Sequence, residues 1–176
     1  MLVFAALIPS QSLQKKGKIG YDGHKKIKGV KLGAAVNEFG LPISIFIAPA
    51  NRNDSKFYFP IMDRFEIKLP NGETITQPGA VIADASFDTK EIRGYNQMKG
   101  IKSVIPINIR NRKKNEVKTP IEFDKELFKK RSSIERFFSH IEAYKKTYPR
   151  HERREDSYLG LIHMACALII GEKVLG

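Results

Sequence analysis

The order of short apolar segments along this chain restricts its fold more than any other feature. Three of them, residues 2–8, 30–36 and 43–47, have the length and composition of buried strands. Turn-forming residue types, among them Asn37 and Gly40, separate the second segment from the third. The pattern predicts one strand followed by an antiparallel hairpin.

The rest of the chain alternates predicted helices with short strands. The helices share capping residues or apolar side chains at helical spacing, and they are predicted at residues 55–65, 89–99, 124–146 and 156–174. Strands are predicted at residues 80–84 and 101–107. No internal repeat or linker divides the sequence, so we expect a single α/β domain over residues 1–176, with a mixed sheet and helices packed against it.

The balance of charge indicates a polyanionic partner. The chain has 31 Lys and Arg against 19 Asp and Glu, a formal net charge of +12 at pH 7. A field of that sign attracts DNA, RNA and acidic membrane surfaces alike. Two basic segments, which could also be ordinary solvated faces, contribute the cations that we assign to nucleic-acid contact: Lys25, Lys26, Lys28, Lys31, Arg110, Arg112 and Lys113.

The termini of the sequence favour a cytosolic protein. Residues 1–8 lack a basic leader and a cleavage site, so they are interpreted as a strand and not as a signal peptide. No stretch is interpreted as the ~18 to 20 apolar residues of a membrane span, and no membrane partner is expected. The single cysteine, Cys166, lies in an apolar run close to His163, and helical packing of a buried thiol explains both residues better than a metal site does.

Two acidic residues stand at positions suited to metal chemistry. Asp84 ends a predicted strand, and ligands of open α/β sheets gather outside the carboxyl ends of such strands. Glu135 lies in a predicted helix with Arg131 one turn before it and Ser139 one turn after it, so the three share a face. The alternative is that Asp84 only forms a turn and that Glu135 and Arg131 are a solvated ion pair.

Four blocks of the sequence resemble the DDE family of insertion-sequence transposases. Residues 20–31 (GYDGHKKIKGVK) and 41–51 (LPISIFIAPAN) are similar to the hairpin region of that family. Residues 82–88 (IADASFD) resemble the block around its second catalytic aspartate. Phe128, Arg131 and Glu135 resemble its tyrosine, arginine and glutamate signature, with Phe128 in the place of the tyrosine.

The resemblance implies a ribonuclease H-like mixed sheet with helices on both faces, and a transposase that cleaves DNA and transfers strands. In that chemistry three carboxylates bind two Mg²⁺ or Mn²⁺ ions that activate the attacking oxygen and stabilise the leaving one. Asp84 would be the second catalytic carboxylate and Glu135 the third, with Arg131 and Arg136 in contact with DNA. The implied partners are double-stranded DNA, as transposon ends and target, and a second copy of the chain on that DNA, in the cytoplasm close to the nucleoid.

The chain departs from the family pattern where the first aspartate is expected. The family has an aliphatic residue followed by Asp-Ser-Gln-Ser, whereas residues 8–12 are Ile-Pro-Ser-Gln-Ser, so Pro9 takes the place of the aspartate. Proline offers no carboxylate, so cleavage is expected to be impaired. Three other acids, Asp22, Asp54 and Asp88, are near enough in sequence to be considered, but none stands where the first strand would direct a ligand.

Three hypotheses therefore remain open at the level of sequence. The chain is an active transposase, or a catalytically silent transposase-like domain that still binds DNA, or an unrelated basic RNA-binding protein. Metal-dependent cleavage, salt-sensitive DNA binding without cleavage, and a preference for structured RNA distinguish them.

Overall fold

A computed structural model describes residues 1–11, 19–23, 26–111, 123–145, 147–148 and 150–176. Lys25, Arg112 and Lys113, three of the predicted nucleic-acid contacts, lie outside these residues. The strands, in chain order, are β1 Leu2–Gln11, β2 Gly20–Asp22, β3 Ile27–Val36, β4 Pro42–Pro49, β5 Ile67–Lys68, β6 Thr74–Ile75, β7 Ala80–Ile82 and β8 Lys102–Val104. The helices are α1 Tyr58–Met62, α2 Lys90–Met98, α3 Lys125–Lys129, α4 Ser132–Ala143 and α5 Glu155–Leu175.

The main sheet is mixed and is organised around β1. Strand β3 pairs antiparallel with one edge of β1, and β7 pairs parallel with the other, followed by β8, which is parallel to β7. The free edge of β3 is shared, since β2 pairs with its first residues and β4 with the remainder. The short hairpin of β5 and β6 forms a separate sheet around the turn at Gly72, whose φ is 87°.

Helices cover both faces of this sheet, as predicted. Alternate residues of β1 face opposite sides, so Val3 joins one core and Leu2 and Phe4 join the other. The first core contains α4 and α5, and the second contains α1, α2 and the 3₁₀ turn Asp54–Phe57. All three of these β1 side chains are at most 2% exposed, so burial on both faces stabilises the central strand.

One glycine is required by the packing of the second core. A Cβ atom added at Gly33 would lie 2.2 Å from Cδ1 of Phe57. The missing side chain on β3 therefore makes room for the Phe57 ring, which is fully buried against the sheet.

The helix predicted at residues 124–146 is wrong as one continuous element. It is divided into α3 and α4, because the N–H groups of Lys130, Arg131, Ser133 and Ile134 each donate to the carbonyl three residues earlier instead of four. The Phe128 ring packs in a tilted arrangement against the Phe123 ring, with the ring centroids 5.1 Å apart. Strand β2 is a second departure, since no strand is predicted between residues 8 and 30.

The expectation that no segment could span a membrane is also corrected. Helix α5 has 21 residues, and one 18-residue window of it has a mean hydropathy of 1.6, which satisfies the length and composition of a span. One face of α5 packs in the first core through Tyr158, Ile162, Ala165 and Ile169. A core helix passes the same test, so this one helix is weak evidence for a membrane protein.

Candidate functional site

Asp84 follows β7 and begins a tight turn. Its backbone is extended, and its carboxylate Oδ1 accepts hydrogen bonds from the backbone N–H of Ser86 at 2.8 Å and from the Ser86 hydroxyl at 2.5 Å. The 3₁₀ turn Ala85–Phe87 that follows is anchored by the buried ring of Phe87. Within this turn of the described chain, the second carboxylate oxygen, Oδ2, accepts no hydrogen bond. It can therefore still bind a ligand at the carboxyl end of the sheet.

Glu135 lies in the first turns of α4, where sequence spacing predicted a shared face with Arg131. Arg131 Nη2 donates to Glu135 Oε1 at 2.5 Å, and the Ser139 hydroxyl donates to the Glu135 carbonyl at 3.1 Å. The Glu135 side chain is 57% exposed, so this ion pair is largely solvated and adds little stability. The shared face is confirmed, and the carboxylate remains accessible to solvent.

The two acids are carried by elements that meet in the same core. Ile82, two residues before Asp84, and Ile134, the residue before Glu135, both belong to the first core. Within the described residues, however, no group of three or more Asp, Glu, His or Cys side chains is arranged to hold a metal ion. The donor set for a pair of divalent cations is therefore incomplete in the part of the chain that is described.

The position of Pro9 can be judged from the register of the sheet. Strands β1 and β7 pair in parallel at Leu2 with Val81 and at Val3 with Ile82. When this register is continued for two residues on each strand, Ala5 lies level with Asp84. Pro9 lies four residues beyond Ala5, on the order of 13 Å along an extended strand. It also lies where the register of β1 against β3 shifts, between Leu7 and Ser10, which suits a residue without an N–H. The register thus does not bring the Pro9 position level with Asp84.

The three other acids have partners of their own. Asp88 has a side chain that is 0% exposed and pairs with Arg93 Nε at 2.5 Å. Asp54 pairs with Lys31 Nζ at 2.8 Å, and Asp22 lies 3.8 Å from the same nitrogen. Each carboxylate is already committed to a cation, and a metal ion at these positions would have to compete with it.

Lys31, a predicted nucleic-acid contact, is engaged within the protein. Its side chain is only 12% exposed, and besides the Asp54 contact its Nζ donates to the carbonyl oxygen of Arg52 at 3.0 Å. An ammonium group that is buried and saturated in this way is not presented to a phosphate. These contacts favour a structural role for Lys31, because β3 is tied through it to the loop before α1, and its assignment as a nucleic-acid contact stays a prediction.

Four other described cations of the predicted interface are exposed, whereas Arg131 is half-buried. Lys26 has a φ of 55° in the turn between β2 and β3, and Lys28 faces solvent two residues later. Arg110 is exposed just after β8, and its backbone N–H donates to Asn108 Oδ1 at 3.2 Å. Arg136 is exposed on α4, where its guanidinium reaches the Ser132 hydroxyl at 3.2 Å. These side chains are available for phosphate contacts.

Helix α4 is held at its start by the turn between β3 and β4. Lys130 Nζ lies 2.5 Å from Glu38 Oε2, and hydrogen bonding from Lys130 lowers the pKa of the Glu38 carboxyl below its ordinary value. A Cβ atom added at Gly40, in the same turn, would lie 3.2 Å from the Ser133 carbonyl oxygen. The turn therefore sets where α4, and with it Glu135, begins on the sheet.

Sequence reasoning missed the contacts that join Asp88 to Arg93 and Lys31 to Asp54. A weak signal existed for the first, because a buried acid at the end of a turn needs a nearby base and Arg93 follows five residues later. The second pair is separated by 23 residues, and no local pattern marks it.

Comparison with known proteins adds independent information on the family. The model of the family described as the transposase DDE domain matches residues 6–170. A protein of Brucella ovis named "Putative transposase for insertion sequence element IS6501" is 29% identical over 139 residues, which cover 79% of this chain and 95% of that protein. No solved structure gives a significant match.

Proposed function

This chain belongs to the transposase DDE domain family, and from that premise we propose that it is the catalytic-core domain of an insertion-sequence transposase, able to bind DNA but impaired in cleavage. The proposal treats residues 1–176 as one ribonuclease H-like domain. The observation that carries it is Asp84, which lies two residues after a central parallel strand, within the matched residues, with one carboxylate oxygen held by Ser86. Ligands of open α/β sheets gather outside the carboxyl ends of such strands, which supports Asp84 as the second catalytic carboxylate of the family resemblance.

Divalent metal ions are used by the family, and Mg²⁺ or Mn²⁺ is the cofactor that we propose for an intact site. Asp84 and Glu135 offer the oxygen donors that such hard cations prefer. Their number is too small, since no third acid joins them among the described residues and Pro9 has no carboxylate to offer. The residues present therefore do not fit a pair of metal ions, and we expect DNA cleavage to be weak or absent.

Binding of double-stranded DNA needs fewer parts than cleavage does. The excess of positive charge, +12, supplies a long-range attraction. Exposed Lys26, Lys28, Arg110 and Arg136 can neutralise phosphates, and Arg131 can join them when it leaves Glu135. Such contacts hold a duplex without reading its sequence, so we propose affinity for transposon ends and target alike, in the cytoplasm close to the nucleoid, with a homodimer on paired ends.

The binding proposal is tested by fluorescence anisotropy with a labelled DNA duplex at several salt concentrations. The logarithm of the affinity should fall linearly with the logarithm of salt, and Lys28→Met should reduce the slope by about one unit. Lys68→Met is the matched control, because Lys68 is an exposed lysine of the separate β5–β6 hairpin and lies outside the predicted interface. Affinity that ignores salt, or a clear preference for structured RNA over duplex DNA, contradicts the proposal.

A further inference from the structure

Asp88 and Arg93 form a buried junction between three segments near the candidate site. Asp88 ends the 3₁₀ turn that Asp84 begins, so the two acids stand at opposite ends of the same turn. Arg93 lies on α2 and keeps only 17% of its side chain exposed. The third segment is the chain after β8, from Ile105 to Asn108, which leads directly to Arg110.

The hydrogen bonds of this junction engage both partners on several sides. Asp88 Oδ1 accepts from Arg93 Nε at 2.5 Å, and Oδ2 accepts from the backbone N–H of Asn108 at 2.7 Å. Arg93 Nη2 donates to the Ile105 carbonyl at 2.8 Å. A fully buried carboxylate is tolerated only when it is paired in this way, so the three segments are held in one arrangement.

The junction continues outward to the basic side chain beyond it. Asn108 accepts, through Oδ1, a hydrogen bond from the backbone N–H of Arg110 at 3.2 Å. In the other direction, the Asp88 backbone N–H donates to the Ala85 carbonyl at 3.2 Å and closes the turn that carries Asp84. One buried ion pair thus links the turn that carries a candidate metal ligand to the segment that carries a candidate phosphate contact.

We propose that Asp88 and Arg93 are positioning residues that hold Arg110 beside the Asp84 turn, so that a DNA phosphate bound by Arg110 lies next to that carboxylate. This inference rests on the proposed DNA binding and deepens it. It explains why Asp88, four residues after Asp84, does not serve as a metal ligand, since both of its carboxylate oxygens accept hydrogen bonds from Arg93 on α2 and from Asn108 in the loop. The pair touches neither DNA nor metal and acts only through the two residues that it places.

A double-mutant cycle on DNA affinity tests the link to Arg110. Arg110→Ala should lower the salt slope by about one unit, and Asp88→Asn should lower it by the same amount. The double variant should be no weaker than Arg110→Ala alone, because the junction acts through that side chain. Losses that add, or an Asp88→Asn variant that binds as tightly as the parent, overturn the proposal.

Control variants separate positioning from a general loss of folding. Glu91→Gln removes an exposed contact, 3.8 Å from Lys56, on the same helix as Arg93 and should leave affinity and slope unchanged. Asn108→Ala removes the acceptor for the Arg110 N–H but leaves the buried pair intact, so it should reproduce the slope change without a change in Tm. If Asp88→Asn does not fold, Asn108→Ala and Arg93→Lys replace it in the double-mutant cycle with Arg110→Ala.

Amide hydrogen exchange tests the junction whether or not the chain binds DNA. In Asp88→Asn the amides of both Asn108 and Ser86 should exchange faster than in the parent, relative to the Leu69 amide in the separate β5–β6 hairpin. Faster exchange at Asn108 with an unchanged Ser86 overturns the claim that the pair positions the Asp84 turn. A parent chain that does not bind DNA contradicts the proposed function, and the exchange result still decides the junction.

Discussion

Replacing Lys31 with methionine separates a structural role from a DNA-binding one. The substitution keeps most of the aliphatic stem of the side chain but removes the ammonium group that Asp54 and the Arg52 carbonyl share. Asp54 is then left as a partly buried carboxylate without its cation. Lys28 offers a matched control, because it stands three residues earlier on the same strand and is exposed.

The magnitude follows from the burial of the pair. Hydrogen bonds to charged groups contribute about 1.5–3 kcal/mol, and breaking a fully buried ion pair costs about 3–5 kcal/mol. Asp54 keeps 28% of its side chain exposed, so water offsets part of that loss. We expect Lys31→Met to lower the free energy of unfolding by about 2 kcal/mol, or roughly 4–8 °C in Tm for a chain of this length.

Urea unfolding followed by circular dichroism gives the stability, and the anisotropy titration gives the DNA affinity. Lys31→Met should lose stability and keep the parent salt slope when it is measured well below its own Tm. Lys28→Met should do the reverse, with a stability change within about 0.5 kcal/mol and a slope lower by about one unit. The reasoning is refuted if Lys31→Met unfolds at the parent urea concentration and binds DNA with a reduced slope.

Three further outcomes can be checked by standard measurements. Gly33→Ala should lower the free energy of unfolding by about 1–3 kcal/mol because it overpacks the second core, whereas Gly94→Ala, with open space around the added Cβ, should be neutral or stabilising in a urea titration. Burial raises the pKa of the Cys166 thiol to about 12, so a thiol reagent at pH 8 should label Cys166 slowly in the folded chain and rapidly in the unfolded chain. The free energy of unfolding should fall as the pH rises above the unfolded thiol pKa of about 8.5. Hydrogen bonding from Lys102 lowers the pKa of the Asp124 carboxyl. The stabilisation by this pair is therefore present above the unfolded pKa of about 3.9 and is lost as the pH falls below it. Lys102→Met should reduce the difference between the urea midpoints measured at pH 7 and at pH 3.

The fold could be predicted from sequence wherever local pattern and tertiary structure agree. The helix predicted at residues 89–99 is α2, with the Thr89 hydroxyl capping it and Gly100 ending it at a φ of 67°. The hairpin of β3 and β4 was also predicted, since its apolar segments flank turn-forming residues. Strand β2 could not be predicted, because its three residues have no apolar period and become a strand only by pairing with β3.

The candidate site was predictable one residue at a time but not as an arrangement. Asp84 and Glu135 were found from a strand end and a helix face, and both features depend on local geometry. The contacts of Lys31 with Asp54 and of Asp88 with Asn108 join residues that are 23 and 20 positions apart, and sequence spacing does not predict them. Asp84 as a metal ligand, and with it Glu135, remains a prediction from the family resemblance.

The most direct test of the central claim is a plasmid nicking assay with Mg²⁺ or Mn²⁺ on the parent chain, on Pro9→Asp and on Pro9→Asp with Glu135→Gln. Ala5→Asp is the control for register, because Ala5 is level with Asp84 in the sheet but precedes the family match at residue 6. From the family pattern we predict that only Pro9→Asp nicks DNA and that Glu135→Gln abolishes the activity, although the register sets Ala5 and not Pro9 level with Asp84. Nicking by the parent chain at the rate of Pro9→Asp would contradict the account, and activity in Ala5→Asp alone would show that the missing first carboxylate belongs at Ala5 and not at Pro9.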